Sequence, residues 1–487
     1  MLMCPRRKGI KFLLLGAVLW VTLGSDAQQF HALHGSPYSG VASMYNNPAS
    51  PIGSSLHWNF TPLSFQVISS TNTLKLDSFQ LFNNSRTVLD FPNTHQKRFF
   101  NQQLDINLFS GFMQMDERSA IGGGLRLRSY SHAISSPFQT SNDSTLTFNR
   151  FLQLNYQTPD FSVAGVSNSW LEGTINYSYI ATDNEYHRLS LGGSLHLSAN
   201  IGGAYTRNSR LSVLGQYDAA RDDTSFVLTG GTVEYNYSQN FDEWNPNFDV
   251  STNITQFLGK APISLGLSAG LEYFIFKPSA QYFADETKIY NWKLGVSLMD
   301  LGNSQFKTGR YTGRFFNNSK TPITDSLVEQ SIPDPFRAPA LRDSLLSLFD
   351  TLVALPSQFN VSRPTRLVVN VDKNLGNDFY INAQLNINFF STAQATKLRS
   401  RELSFFTLTP RWETQHFGFY LPVQINVQKQ FWVGAAAKLG PLVIGTHNLG
   451  FLLKKDPYLN GGFYALVSFS PFQTKDKIPK RSRINCY

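Results

Sequence analysis

The chain has 487 residues, of which 41% are apolar, 14% aromatic and only 15% charged, with two cysteines and a formal charge of +9. Soluble domains carry nearer ~25% charged residues, so this balance suits an apolar outside around a polar inside better than an ordinary soluble enzyme. One cysteine, Cys4, precedes an apolar leader and the other is Cys486, which excludes a disulfide framework and a thiolate metal site in the exported chain.

Residues 1–27 read as a signal peptide: Arg6, Arg7, Lys8 and Lys11 start it, residues 12–23 form its apolar run, and Ser25 and Ala27 offer a small-residue cleavage site. No later stretch approaches the ~18 consecutive apolar residues of a membrane helix, so any passage through a membrane must use strands. Cleavage lowers the formal charge to +6, and Lys475, Lys477, Lys480, Arg481 and Arg483 against Asp476 leave +4 of that in a basic tail at 473–487. The remaining body is nearly neutral, so no nucleic-acid partner is expected.

Residues 28–54, rich in Gly, Ser, Asn and Pro, are expected to form a lead-in or plug segment at the periplasmic side or inside a lumen. The barrel is expected over 55–472. Its first strand, 55–70, is weakened by Pro62, which cannot donate to a ladder. Strands at 103–114 and 120–131 make a hairpin in which Gly122, Gly123 and Gly124 mark a bulge or a close approach. Residues 171–181 pair with the clearest strand, 187–200, where Leu189, Leu191, Leu195, Leu197 and Ala199 alternate with Arg188, Ser190, Ser194, His196, Ser198 and Asn200. That period of two separates an apolar from a polar face. Strands of this length fit the ~9 to 11 residues needed to cross a bilayer at a tilt, longer than the ~5 to 6 common in soluble sheets.

Residues 231–238, 263–275 (with Phe274 out of step) and 289–298 repeat the alternation. An insert at 302–362 holds one helix, with Leu341, Leu345, Leu348 and Leu352 on one face and Phe349 beside them. Residues 367–371, 379–389, 403–413, 417–427, 431–439 and 462–469 complete about fourteen strands, with 12 to 16 as the range, in a closed all-β antiparallel transmembrane barrel. Tyr177, Tyr179, Tyr235, Tyr237, Tyr273, Tyr290, Trp292, Phe389 and Trp412 share the lipid parity and suggest aromatic girdles. Short connections fall at both ends of these strands, so loop length leaves the orientation of the middle strands open.

Several local stretches together resemble an uncharacterised family of Bacteroidota outer-membrane barrels classed as a domain of unknown function. They are Asn47-Pro48-Ala49-Ser50, Val296-Ser297-Leu298-Met299-Asp300-Leu301-Gly302, Arg363-Pro364-Thr365-Arg366-Leu367, Pro410-Arg411-Trp412-Glu413 with Phe417-Gly418-Phe419-Tyr420-Leu421-Pro422, and Leu439-Gly440-Pro441-Leu442-Val443-Ile444-Gly445. The Asn-Pro-Ala element also resembles the N-terminal segment of FadL-type channels and of the related type IX secretion barrel. The FadL resemblance implies fourteen strands, an N-terminal hatch in the lumen and passage of apolar compounds; the strongly polar inward rows depart from that pattern.

The polar parity nominates a lumen lining of Arg126, Arg128, Glu172, Asn176, Arg188, His196, Glu234, Asn236, Glu272, Lys293, Asn382, Gln384, Asn386, Arg411 and Glu413. Charges of both signs there are expected to brace the wall as salt bridges, or alternatively to select a solute. One Gly-x-Ser-x-Gly match, residues 266–270, lies inside an alternating strand and not at a nucleophile turn. His196 reads as a polar lining residue without chemistry, and His31 and His34 as loop residues, so no catalytic, cofactor or metal residue is expected. The expected function is passage or binding of a solute, a hydrophobic one included, by an exported outer-membrane protein in contact with membrane lipid. The alternative is a non-transporting component of a secretion or surface-assembly machine.

Overall fold

Two-residue alternation becomes a wall in which the strands between Gln96 and Gly376 exceed the length read from sequence, because backbone pairing continues past the apolar stripe. A computed structural model describes residues 30–470 apart from 78–87, 141–147, 157–160, 219–222, 246, 277–289, 317–322, 325–337, 391–396 and 454–457. The expected signal peptide at 1–27 and basic tail at 473–487 lie outside the described residues.

Fourteen antiparallel staves close the barrel. They are β1 Trp58–Thr71, β2 Gln96–Gln114, β3 Ser119–Phe138, β4 Phe161–Asp183, β5 His187–Asp218, β6 Ile263–Phe276, β7 Tyr290–Lys307, β8 Arg366–Gly376, β9 Phe379–Asn388 and β10 Phe405–Glu413. Two staves are each broken once: β11 comprises Phe417–Tyr420 and Val423–Asn426, and β12 comprises Phe431–Val433 and Ala435–Leu439. The breaks fall at Pro422, which has no N–H to give, and at Gly434, whose N–H donates to the Pro422 carbonyl at 2.8 Å. Finally, β13 Leu442–Thr446 and β14 Phe463–Phe469 return the sheet to β1, closing it from Phe60 opposite Phe469 to Gln66 opposite Tyr464. Pro62 sits where this last pairing shifts register, between Phe60 and Leu63.

Five short turns, 115–118, 184–186, 377–378, 414–416 and 440–441, lie at one end, where β1 begins and β14 ends, and a sixth, 427–430, lies at the other. Short links thus occur at both ends, as the sequence suggests, but five of these six share one end. Several apparent strand ends were only points where hydrophobicity faded, while the strand itself continued. Short turns mark the periplasmic end of such barrels, which places the long connections at the opposite end. The outward parity is apolar and exposed, as at Ile175 (65%), Leu197 (55%) and Leu265 (63%).

Residues 231–238 do not form a stave. The strand β5 pairs with β6 only from His187 to Ala199, then leaves it and pairs from Ala204 to Asp218 with the arm Asp223–Tyr237. These fifteen residues carry β5 roughly 50 Å past its pairing with β6 at ~3.3 Å per residue, with Ala204 to Leu211 still paired to β4. Gly313–Phe316, Ile323–Thr324 and Thr351–Val353 add to this extension. The helix Ala338–Leu348 packs Leu345, Leu348 and Phe349 against Phe315, with Leu341 and Leu352 alongside. Leu352 belongs to the following strand and not to the helix, yet it joins the same cluster.

The arm also explains two misplaced girdle residues. Tyr235 stacks on Phe315 with ring centroids 5.9 Å apart, and Tyr237 donates to Asp242 at 2.7 Å. A third, Tyr290, is buried because the pairing of β7 with β6 shifts register between Tyr290 and Trp292.

Candidate functional site in the barrel lumen

Residues 30–54 occupy the interior and contribute no strand to the wall. Two short helices, α1 Val41–Met44 and α2 Ser50–Gly53, flank the Asn-Pro-Ala turn, and nearly every residue from Phe30 to Ile52 is buried. This turn is seated on inward-facing wall glycines. A Cβ at Gly192 would meet the Pro48 carbonyl, and one at Gly270 would meet the Asn47 side chain. At Gly122 it would meet Met44 Sδ and at Gly124 the Tyr45 hydroxyl, so the glycine run of β3 is a close approach, by the plug itself.

Hydrogen bonds complete the seat. Asn47 Nδ2 donates to the Leu271 carbonyl at 2.9 Å, Asn176 Nδ2 to the Pro48 carbonyl at 3.0 Å, and Ser297 Oγ to the Asn46 carbonyl at 2.6 Å. The Ser50 hydroxyl donates to Glu272 at 2.7 Å and that of Ser36 to Glu413 at 2.7 Å, while His34 bonds Gln384. Phe274, out of step in the sequence, faces inward against Gly53 of the plug and packs with Phe276, Tyr290 and Tyr380.

Beside the plug lies a belt of buried charges joining staves that are not neighbours in the sheet, a contact possible only through the interior. Arg128 on β3 donates to Asp105 at 2.7 Å and to both oxygens of Asp300 on β7 at 2.5 and 3.0 Å. Arg366 lies 3.3 Å from Asp300 and donates to Glu402 at 2.8 Å and to the Tyr45 carbonyl of the plug at 3.0 Å. Glu172 receives Arg126 at 2.5 Å and the Trp170 N–H at 3.0 Å, with Arg363 at 3.8 Å. The Arg126 guanidinium also sits 3.7 Å from the centre of the Tyr45 ring. A second cluster ties Arg411 to Asp372 at 2.6 and 2.9 Å and to Glu413 at 2.7 Å. Every one of these carboxylates and guanidiniums is buried, and each is paired, as charges in a low-dielectric interior require.

The fifteen nominated lining residues divide accordingly. Arg126, Arg128, Glu172, Asn176, His196, Glu272, Lys293, Asn382, Gln384, Asn386, Arg411 and Glu413 are buried on the inward parity. Lys293 stands 3.9 Å from Glu272, Asn382 donates to Asp372 at 2.9 Å, and Asn386 to Glu402 at 2.9 Å. Arg188 is half-buried near the short-turn end, paired with Asp183 at 3.0 Å. Glu234 and Asn236 are buried as well, on the face that carries Tyr205. They belong to the arm, where Glu234 pairs with Arg314 at 2.7 Å and Asn236 donates to Thr308 at 3.2 Å, because β5 outruns the stave that should have held them.

Sequence reasoning missed Asp105, Asp300, Arg363, Arg366, Asp372 and Glu402. For Asp300, Arg363 and Arg366 a signal existed, since they lie in the stretches that carry the family resemblance. It also kept apart His196 and the Gly-x-Ser-x-Gly match, which the fold joins: Ser268 and Thr174 each bond the His196 ring at 2.9 Å, with Glu172 at 3.6 Å. The order resembles a nucleophile, base and acid. The buried Ser268 hydroxyl, however, is tied to His196 and to the Asp300 N–H at 3.0 Å, which is the geometry of a brace.

A family model described as a family of unknown function, DUF5723, matches residues 48–447. No curated protein matches the chain. Among solved structures, a FadL homologue of Pseudomonas aeruginosa is 11% identical with a TM-score of 0.42, covering 92% of this chain and 100% of that one. The toluene transporter TodX of Pseudomonas putida is 13% identical with a TM-score of 0.41, covering 89% and 94%. The toluene transporter TbuX of Ralstonia pickettii is 12% identical with a TM-score of 0.39, covering 88% and 93%.

Proposed function

This chain belongs to the DUF5723 family of unknown function, and since membership brings no activity with it, we propose from the lumen itself that the protein is an outer-membrane barrel closed at rest by its own N-terminal segment, which admits a solute when that segment shifts. The observation that carries this reading is the construction of the plug. Residues 30–54 fill the interior without lending a strand to the wall, so their displacement breaks side-chain contacts but no ladder hydrogen bond. About fourteen staves enclose a lumen wider than side chains alone fill, and without the plug that lumen is lined by Asn176, Asn382, Gln384 and the paired charges. Such a lining favours a hydrophilic solute along the wall and offers a hydrophobic one no continuous apolar path past the belt.

Planar-bilayer recording tests this. The full-length protein should pass little current, and the double variant Gly192→Val/Gly270→Val, whose new side chains overlap Pro48 and Asn47, should conduct. Silence from both would discard gated passage.

A second reading, an outer-membrane component of a surface-assembly machine, is favoured by the sheet extension of β5 and its arm, which gives the long-loop end a protruding β surface. If both proteins are silent in the bilayer, that extension becomes the surface to probe.

A further inference from the structure

We propose that the helix Val250–Gly259 is seated in the membrane, with the acyl layer of the leaflet at the long-loop end as its partner. This goes beyond solute passage and needs only that the barrel spans a bilayer. The chain leaves the arm at Tyr237, makes a short turn at Gln239–Glu243, forms this helix and returns to the wall at Ile263, the first residue of β6.

The turn is fixed to the outside of the barrel. A Cβ at Gly202 would touch the Phe241 ring at 3.4 Å, while one at the adjacent Gly203 would run into Phe306. Successive residues of a strand point to opposite faces, and Phe306 is buried with Val166, Tyr205, Phe359 and Val361 in the interior. Phe241 therefore covers the outer surface. The helix is held to this turn by one face, through Phe257, whose ring centre is 5.3 Å from that of Phe241, and through buried Asn253, whose amide donates to the Asn245 and Phe248 carbonyls at 2.9 and 3.2 Å.

The other face is apolar and uncovered. Val250, Ile254 and Leu258, four residues apart and so on one stripe, are 67%, 45% and 40% exposed, with Trp244 and Phe248 exposed beside them. No residue from Val250 to Gly259 is charged. Lys260 follows directly and is exposed, which suits a headgroup phosphate beside a helix lying at the interface. The stripe continues into Ile263, Leu265 and Leu267, the exposed outer face of β6. A protein partner would have to cover that lipid-facing strand as well, so continuity favours lipid.

The test uses the full-length protein in phosphatidylcholine vesicles, with Cys4 and Cys486 replaced by serine and single cysteines at Ile254, Leu258, Gln256 or Leu265 carrying a spin label. Labels at Ile254 and Leu258 should match Leu265, colliding several-fold more with oxygen than with a nickel chelate, and Gln256 should show the reverse. Ile254 and Leu258 labels as open to nickel as Gln256, or shielded from both reagents by a protein contact, would overturn the proposal. A nickel-accessible Leu265 would instead sink the membrane-barrel reading on which it rests. Should the labelled variants fail to fold, Trp244→Phe supplies the second measurement: it should remove part of the fluorescence quenched by dibrominated phosphatidylcholine, and equal quenched fractions with and without Trp244 would also overturn the proposal.

Discussion

Asp300 concentrates the forces in the lumen. Its φ of 59° places a non-glycine residue in the left-handed region, where L side chains are strained. The register of β7 against β6 shifts at this point, between Leu298 and Leu301. The strain is offset by what the conformation supplies, two guanidiniums on the carboxylate and the N–H on Ser268. Asp300→Ala should therefore lower the unfolding free energy by about 3–5 kcal/mol, the usual result of stranding a buried partner charge. Urea unfolding in detergent micelles measures it, and a loss below about 1 kcal/mol would mean that the belt does not brace the wall. His196 falls under the same logic. Sequence reasoning treats it as a polar lining residue without chemistry, whereas its ring joins Thr174 on β4 to Ser268 on β6. His196→Ala should cost about 1–3 kcal/mol in the same assay by leaving buried hydroxyls unpaired, and an unchanged unfolding curve would return it to a lining role.

At the level of elements, alternation told which face of each strand meets lipid but not where a strand stops being a stave. Leu191, Leu195 and Leu197 of β5 are exposed and Ser190, Ser194, His196 and Ser198 buried, as period two requires. Arg at Leu195, near mid-stave and 47% exposed, should accordingly cost about 2–4 kcal/mol. Arg at Leu214, which is 56% exposed but on the extension beyond the stave, should cost little. Equal losses at the two positions would put the extension in the bilayer too. The same limit explains Glu234 and Asn236: their alternation is genuine, but only the pairing of β5 reveals that an added arm, and not a stave of the closed ring, carries them. The belt was half legible. Arg126 and Glu172 face each other on adjacent staves and follow from parity, whereas Arg128 and Asp300 are 172 positions apart and meet only once the sheet has closed. The plug left two traces in sequence, the inward glycines and the out-of-step Phe274. Neither can be assigned without the segment that fills the space.

For the whole molecule, the state of the lumen depends on how firmly residues 30–54 stay docked, and His34 links that to pH. Burial pushes its pKa down from 6.5 to about 3, partly opposed by its bond to Gln384. A lowered histidine stays neutral when docked but takes up a proton once released into water. Above pH 6.5 both states are neutral and docking is at full strength. Between pH 6.5 and about 3 the released state holds one more proton, so docking weakens as pH falls. The slope approaches about 1.4 kcal/mol per pH unit for one such group. Bilayer current through the full-length protein should therefore rise as pH is lowered from 7.5 to 4.5. In His34→Gln, which retains a hydrogen-bonding side chain but cannot titrate in this range, the rise should be much smaller. If that variant shows the same rise, the acid response comes from other groups and His34 does not govern the plug.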